Sequence, residues 1–177
     1  MNQHTKAEDF GTLIEPTTLK IERMLPGPIE RVWDYIAKEE LRRQWLASGD
    51  IKHQLDSPFE LVWRGADWYG EAGERPQSVP AEPRMKCQVV AYDPPHKLAF
   101  KWGEKSEVSF SLKSIGERVL FTLLHERIPD RSTAVGVSTG WHSHLDLLEA
   151  LLGQTKPQPF WDHWVGLKQE YNNRIPN

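Results

Sequence analysis

The spacing of apolar residues along the chain changes period twice. Residues 17–25 (TTLKIERML) alternate, with Leu19, Ile21, Arg23 and Leu25 on one side and Lys20 and Glu22 on the other, the two-residue period of a strand. Pro26-Gly27-Pro28 ends this run, and Pro28 suits the first position of a helix, where its missing N–H costs nothing. Ile29, Val32, Trp33 and Ile36 then recur at i, i+3, i+4 and i+7, which predicts one apolar stripe on a short helix over 29–37. A second short helix is expected over 39–46, with Leu41, Trp45 and Leu46 inward and Gly49 placed as a stop. Alternation returns at 59–64, 85–92, 98–102, 108–113 and 119–125, where Phe59, Leu61, Trp63, Leu98, Phe100, Trp102, Val108, Phe110, Val119, Phe121 and His125 fall on inward faces. Asp93-Pro94-Pro95 and Gly116-Glu117 supply turns. Residues 65–83 are rich in Gly, Pro and Glu, and read as a long loop or an extended hairpin tip; loops of that length in a compact domain tend to be functional.

After Pro129-Asp130 the period becomes helical. Over 138–152, Trp141, His144, Leu145, Leu148, Leu151 and Leu152 share one face, His142, Asp146 and Glu149 fall on the outward face, and Gly153 ends the helix. A linker at 156–159 precedes a last amphipathic helix over 160–174, spaced by Phe160, Trp164, Leu167 and Tyr171. Strands joined by short turns predict an antiparallel meander rather than βαβ crossovers. One apolar face per strand calls for one cover, and the long helix is the natural one. The expected class is α+β: a curved antiparallel sheet wrapped around a long C-terminal helix, with two short helices after the first strand. The expected organisation is a mobile tail over 1–12, one domain over 13–155, and a helical C-terminal extension over 156–177 packed on that domain.

Composition narrows the function classes. A chain of 177 residues with 38% hydrophobic content suits one domain, which at this size buries roughly 70% of the surface its unfolded form exposes. The single cysteine, Cys87, excludes an intrachain disulfide and a cysteine-rich metal site, and points to cytoplasmic residence. Residues 1–11 lack the apolar stretch of a signal peptide, and nowhere does an apolar run approach the roughly 18 residues of a membrane span. With a net charge of -3 and basic residues scattered singly or in pairs such as Arg42–Arg43, nucleic acid is not the expected partner. Eight tryptophans are the one unusual feature, and rings of that size belong in a core or a pocket wall.

The stretch 21–46, IERMLPGPIERVWDYIAKEELRRQWL, resembles the opening of the START-like, or SRPBCC, proteins. Within them it is most similar to the bacterial homologues of the activator of the heat-shock-protein-ninety ATPase. A strand leads through a proline turn into a helix carrying Val32-Trp33, and Trp45 closes the second short helix. Asp93-Pro94-Pro95-His96-Lys97-Leu98 resembles the family's turn before a strand ending in tryptophan, here Trp102. Leu123-Leu124-His125, Ile128-Pro129-Asp130 and Gly140-Trp141 with Leu145 resemble the last strand and the start of the helix. The resemblance covers about residues 17–152. Leu46 stands where many members carry a second tryptophan, and the 65–83 loop and the 156–174 extension lie outside the family pattern. The resemblance implies a helix-grip fold with a cavity between sheet and helix.

The inward residues suit such a cavity. Trp63, Phe100, Trp102, Phe110, Phe121 and Trp141 are expected to line it, with His125 at a strand end and His144 on the helix near its mouth. Histidine ordinarily titrates near neutrality, so His144 is a candidate to orient a ligand or exchange a proton. No catalytic constellation, cofactor loop or metal site is expected. His142 and His144 are two apart on a helix and point in different directions. His142 and Asp146 read as a surface pair, and His163 adds nothing by spacing. Cys87 reads as an inert strand thiol. The leading expectation is a binding module for a small apolar or aromatic ligand. The alternatives are a cyclase- or hydrolase-type enzyme using a pocket histidine with a carboxylate, and a chaperone-linked stress protein that touches a chaperone or client. The aromatic segment 160–164 either packs back over the sheet mouth or forms a homodimer face.

Overall fold

The computed structural model describes residues 6–177. Its strands are β1 (Thr12–Glu15), β2 (Thr18–Pro26), β3 (Pro58–Val62), β4 (Arg84–Asp93), β5 (Lys97–Trp102), β6 (Ser106–Ile115) and β7 (Arg118–Glu126). Its helices are α1 (Ile29–Ala37), α2 (Glu39–Arg42), α3 (Arg131–Gly153) and α4 (Phe160–Arg174). All seven strands form one antiparallel sheet in the order β1-β2-β7-β6-β5-β4-β3. The meander from β3 to β7 follows the predicted turns, and β2 closes against β7 with Leu19 opposite His125 and Leu25 opposite Val119. The sheet thus presents Leu19, Ile21, Leu25, Phe100, Phe110, Phe121 and Leu123, all buried, to α3. This is the expected helix-grip arrangement, and among the described residues no helix is long and apolar enough to cross a membrane.

Three local expectations change. Of the tail expected over 1–12, residues 1–5 lie outside the described residues, and the rest is anchored. Residues 7–9 form a 3-10 turn, and Phe10 packs edge-on against His142 and Tyr171. The Gly11 N–H donates to the Tyr171 hydroxyl at 2.8 Å, and Thr12 opens the short edge strand β1. One aromatic residue was enough to dock a segment whose polar neighbours read as solvated. The long helix also begins seven residues earlier than its apolar face suggests. Asp130 caps it by accepting from the Thr133 N–H at 2.7 Å, so Gly136 and Gly140 stand inside the helix.

The third change concerns the face of α3 carrying His142, which was expected to be outward. α4 lies over this face, and His142 is fully buried while Glu149 stays exposed. The 65–83 loop is the long connection of the antiparallel β3–β4 pair, whose ladder ends at Val62 opposite Arg84. It runs back to the 156–159 linker, and its Glu71 and Ala72 carbonyls accept from the Phe160 and Trp161 N–H groups, satisfying donors that the start of a helix leaves free. Gly70, at φ +82, lies so close to this linker that a Cβ would meet Pro157 Cγ at 2.7 Å.

The two arginines of the pair Arg42–Arg43 part company, Arg43 being exposed. Arg42 is buried and donates to the carbonyls of Ile36 (2.9 Å), Ala47 (3.3 Å) and Gly49, tying the end of α1 to the chain that follows α2. Burial lowers its pKa to about 10. Arg42→Met keeps the stem but leaves those carbonyls without a donor, and denaturant unfolding should show a loss of about 2–3 kcal/mol. Arg42→Lys should recover only part of it, because an ammonium cannot reach the same carbonyls as the fork.

Candidate functional site

The interior between sheet and helix is filled rather than hollow. Phe100, Phe110 and Phe121 are fully buried, with Phe110 meeting Phe100 edge-on at 5.6 Å and Phe121 at a tilt, 5.4 Å between centroids. Phe110 also meets Trp141 edge-on at 5.7 Å and Trp45 at 6.3 Å. These three phenylalanines were expected to line a cavity. They are its foundation, because the sheet curves closely enough around α3 for their rings to interdigitate.

The cavity lies at the rim, where the ends of β3 and β5 and the start of β4 leave α3 uncovered. It measures about 480 Å³. Trp63 and Trp102 stand at the sheet edge, 5.6 Å apart and edge-on. Trp141 and His144 face it from α3, together with Gly136 and Gly140, at both of which a Cβ would meet nothing within 4 Å. The far wall comes from outside the grip: Trp68 and Ala72 from the long loop, and Phe160, Trp161 and Trp164 from α4. Trp68 packs at a tilt on Phe160, 4.0 Å between ring centroids, and its indole N–H donates to the Leu46 carbonyl at 3.0 Å. Of the eight residues expected at the site, Trp63, Trp102, Trp141 and His144 line the cavity, while Phe100, Phe110, Phe121 and His125 lie behind it. Trp68, Phe160 and Trp161 were missed as wall residues. The clue available was the aromatic density of 160–164 beside an unusually long loop.

The two histidines differ in role. Trp141 Nε1–H donates to His125 Nδ1 at 3.0 Å, so the neutral ring carries its proton on Nε2, which is buried without a partner. Burial pushes His125 down to about 4. His144 Nδ1 lies 2.7 Å from the Trp45 carbonyl. A carbonyl only accepts, so Nδ1 carries the proton and Nε2 is a bare acceptor on a ring that borders the cavity. Burial likewise holds His144 at about 4, outweighing its bond to Trp45. The near-neutral titration expected of His144 therefore does not apply in the folded chain. Cys87 is buried and pushed up to about 12, an inert thiol.

This architecture has relatives. Residues 26–153 match the family described as activator of Hsp90 ATPase homolog 1-like proteins. The chain belongs to that family. Among solved structures, one from Bordetella parapertussis shares 34% identity over 94% of this chain and 91% of that one, with a TM-score of 0.76. CalU16 from Micromonospora echinospora is 20% identical over 89% of this chain and 85% of its own, at a TM-score of 0.66. DynU16, a protein of the dynemicin biosynthetic locus, is 18% identical over 80% of this chain and 49% of its own, at 0.61. The last two likenesses concern the fold alone. No curated protein matches the chain. Within this activator-homologue family, the matched core ends at residue 153, so the α4 wall of the cavity lies beyond it.

The buried histidines set a pH dependence. Their folded pKa values lie below the ordinary 6.5, so below pH 6.5 the unfolded chain takes up protons that folded His125 and His144 refuse. Stability should be full above about pH 6.5 and fall as pH drops toward about 4, by a few kcal/mol in all. Urea unfolding at stepped pH checks this, and His125→Gln and His144→Asn should each flatten the slope.

Proposed function

We propose that this member of the activator-homologue family binds a small aromatic or apolar molecule bearing one hydrogen-bond donor, in the rim cavity. The observation that carries this reading is the wall itself: six tryptophan rings and one phenylalanine around two side-chain-free turns of α3, with the bare Nε2 acceptor of His144 among them. Arg75 and Arg84 also border the cavity, but Arg84 is paired with Glu60 and Glu82 and Arg75 donates to the Val79 carbonyl. A mostly aromatic pocket with few polar groups is how proteins hold and orient such ligands. Gly136 and Gly140 support the reading further. Glycine inside a helix costs stability relative to alanine, and here the missing side chains leave open volume instead of admitting a packed neighbour.

Acid–base catalysis of the cyclase or hydrolase kind finds less support. Among the described residues no carboxylate lines the cavity to pair with His144, and the imidazole is held neutral. The family's name offers a chaperone-linked role, but the apolar residues left exposed, Ile14, Leu55, Ile115 and Val165, stand on separate elements. Phe160 and Trp161 are buried, which removes the exposed-aromatic argument for a homodimer through α4.

Gly140→Leu tests the cavity without removing anything from the fold. The leucine side chain enters free volume and improves helix propensity. The melting temperature should hold or rise, while an anilinonaphthalene probe that brightens with wild type should bind at least about tenfold more weakly. Equal probe binding by both proteins would refute the site. For the acceptor, His144→Asn retains a donor toward Trp45 and deletes the Nε2 position. Wild type should prefer 2-naphthol over naphthalene by about 5- to 10-fold, and the preference should vanish in the variant.

A further inference from the structure

A second cluster lies on the opposite side of α3. His142 and Asp146, one turn apart on α3, meet His163 from the first turn of α4, and one ligand atom from each lies within 4.8 Å of the others. Asp146 Oδ2 is 3.3 Å from His142 Nε2 and 2.6 Å from His163 Nε2. The remaining atoms of the cluster are already oriented. His142 Nδ1 is 2.8 Å from the Tyr171 hydroxyl, and Asp146 Oδ1 accepts from Arg23 Nη2 at 3.0 Å. Arg23, buried on β2, also reaches the Asp9 carbonyl and stands 3.7 Å from Glu149. Two buried atoms of this network are left without a hydrogen-bond partner: Arg23 Nε, which faces Glu149, and His142 Nε2, which aims into the cluster 3.3 Å from Asp146 Oδ2.

We propose that His142 Nε2, Asp146 Oδ2 and His163 Nε2 form a two-histidine, one-carboxylate site for a divalent transition metal such as Zn²⁺, clamping α4 to α3. Bond lengths of about 2.0–2.2 Å to nitrogen and oxygen place neighbouring ligand atoms about 3.3 Å apart in a tetrahedral site. The His142–Asp146 separation already has that value. The Asp146–His163 separation must open from a hydrogen bond to a coordination distance, and His163 is partly exposed on its helix with room to swing. Tyr171 and Arg23 occupy the outer positions that fix ligand orientation in such sites. Burial, the largest influence on His142, lowers its pKa and keeps the ring in the neutral form that binds metal. Asp146 is pushed up by burial, but the two neighbouring histidines and the Arg23 guanidinium outweigh this and hold it ionised. Imidazole with one carboxylate suits zinc, cobalt, nickel or copper rather than magnesium or calcium. Asp146 and His163 border a cleft of about 470 Å³ that also touches Ser143 and Glu149, so a fourth coordination position opens to small molecules.

The test uses the untagged full chain, stripped with chelator and dialysed, titrated with Co²⁺ and followed by its visible spectrum, with calorimetric Zn²⁺ titration alongside. Wild type should take up one equivalent, develop the intense visible bands of four- or five-coordinate cobalt, and gain thermal stability with Zn²⁺. His163→Gln, at a partly exposed position the fold can spare, should abolish the bands and weaken Zn²⁺ by more than about 100-fold. Tyr171→Phe should weaken it by about 10- to 100-fold, as loss of an outer partner does. His53→Gln, at an exposed histidine far along the chain, should change nothing. Absence of stoichiometric uptake by wild type overturns the proposal, as does uptake that His163→Gln leaves intact. Probe binding in the rim cavity, on the other side of α3, is scored separately and bears on neither outcome.

Discussion

α3 is buried on two sides that differ in chemistry, and the rest of the molecule answers to that. Toward the sheet it presents Leu145 and Leu148, which need only shape and volume, and Trp141, whose one polar atom is met by His125. Away from the sheet it presents His142, Ser143 and Asp146, and a polar group removed from water must find a partner. Ser143 bonds back to the Thr139 carbonyl at 2.7 Å. His142 and Asp146 require Tyr171, Arg23 and His163, and these come from α4 and β2. The C-terminal extension is therefore the second half of the shell around α3.

The same extension explains where the cavity lies. A sheet curved around a helix seals the middle of that helix with its own side chains, as Phe100, Phe110 and Phe121 do. It cannot seal the end, because strands run out at the rim. Here the rim is covered by the 65–83 loop and α4, which hold each other through the Glu71 and Ala72 carbonyls and the packing of Trp68 on Phe160. A lid assembled from two aromatic segments over two glycines does not fill the space beneath it, and the cavity is what remains. α4 thus carries both the cavity's outer wall, through Phe160, Trp161 and Trp164, and, one turn in, His163 of the polar cluster.

Much of this was legible in the chain. Alternation determined the strands from β2 through β7 apart from their ends, and helical spacing determined α1, the core-facing stripe of α3 and the extent of α4, because both periods are local consequences of backbone geometry. Four of the eight expected site residues line the cavity for the same reason: Trp63, Trp102, Trp141 and His144 lie where strand ends and helix face coincide. What local pattern could not decide was what lay across from each face. Phe100 and Trp102 belong to the same inward row, yet one is core and the other cavity wall, and only the curvature of the sheet separates them. His142 has the spacing of a solvated position and is buried because a helix eighteen residues on folds over it. His163 is seventeen residues from Asp146, its hydrogen-bond partner in the cluster, a separation no periodicity encodes. Period specifies which residues share a face; the tertiary fold alone brings two faces together, and the burial and pKa of every histidine follow from that meeting.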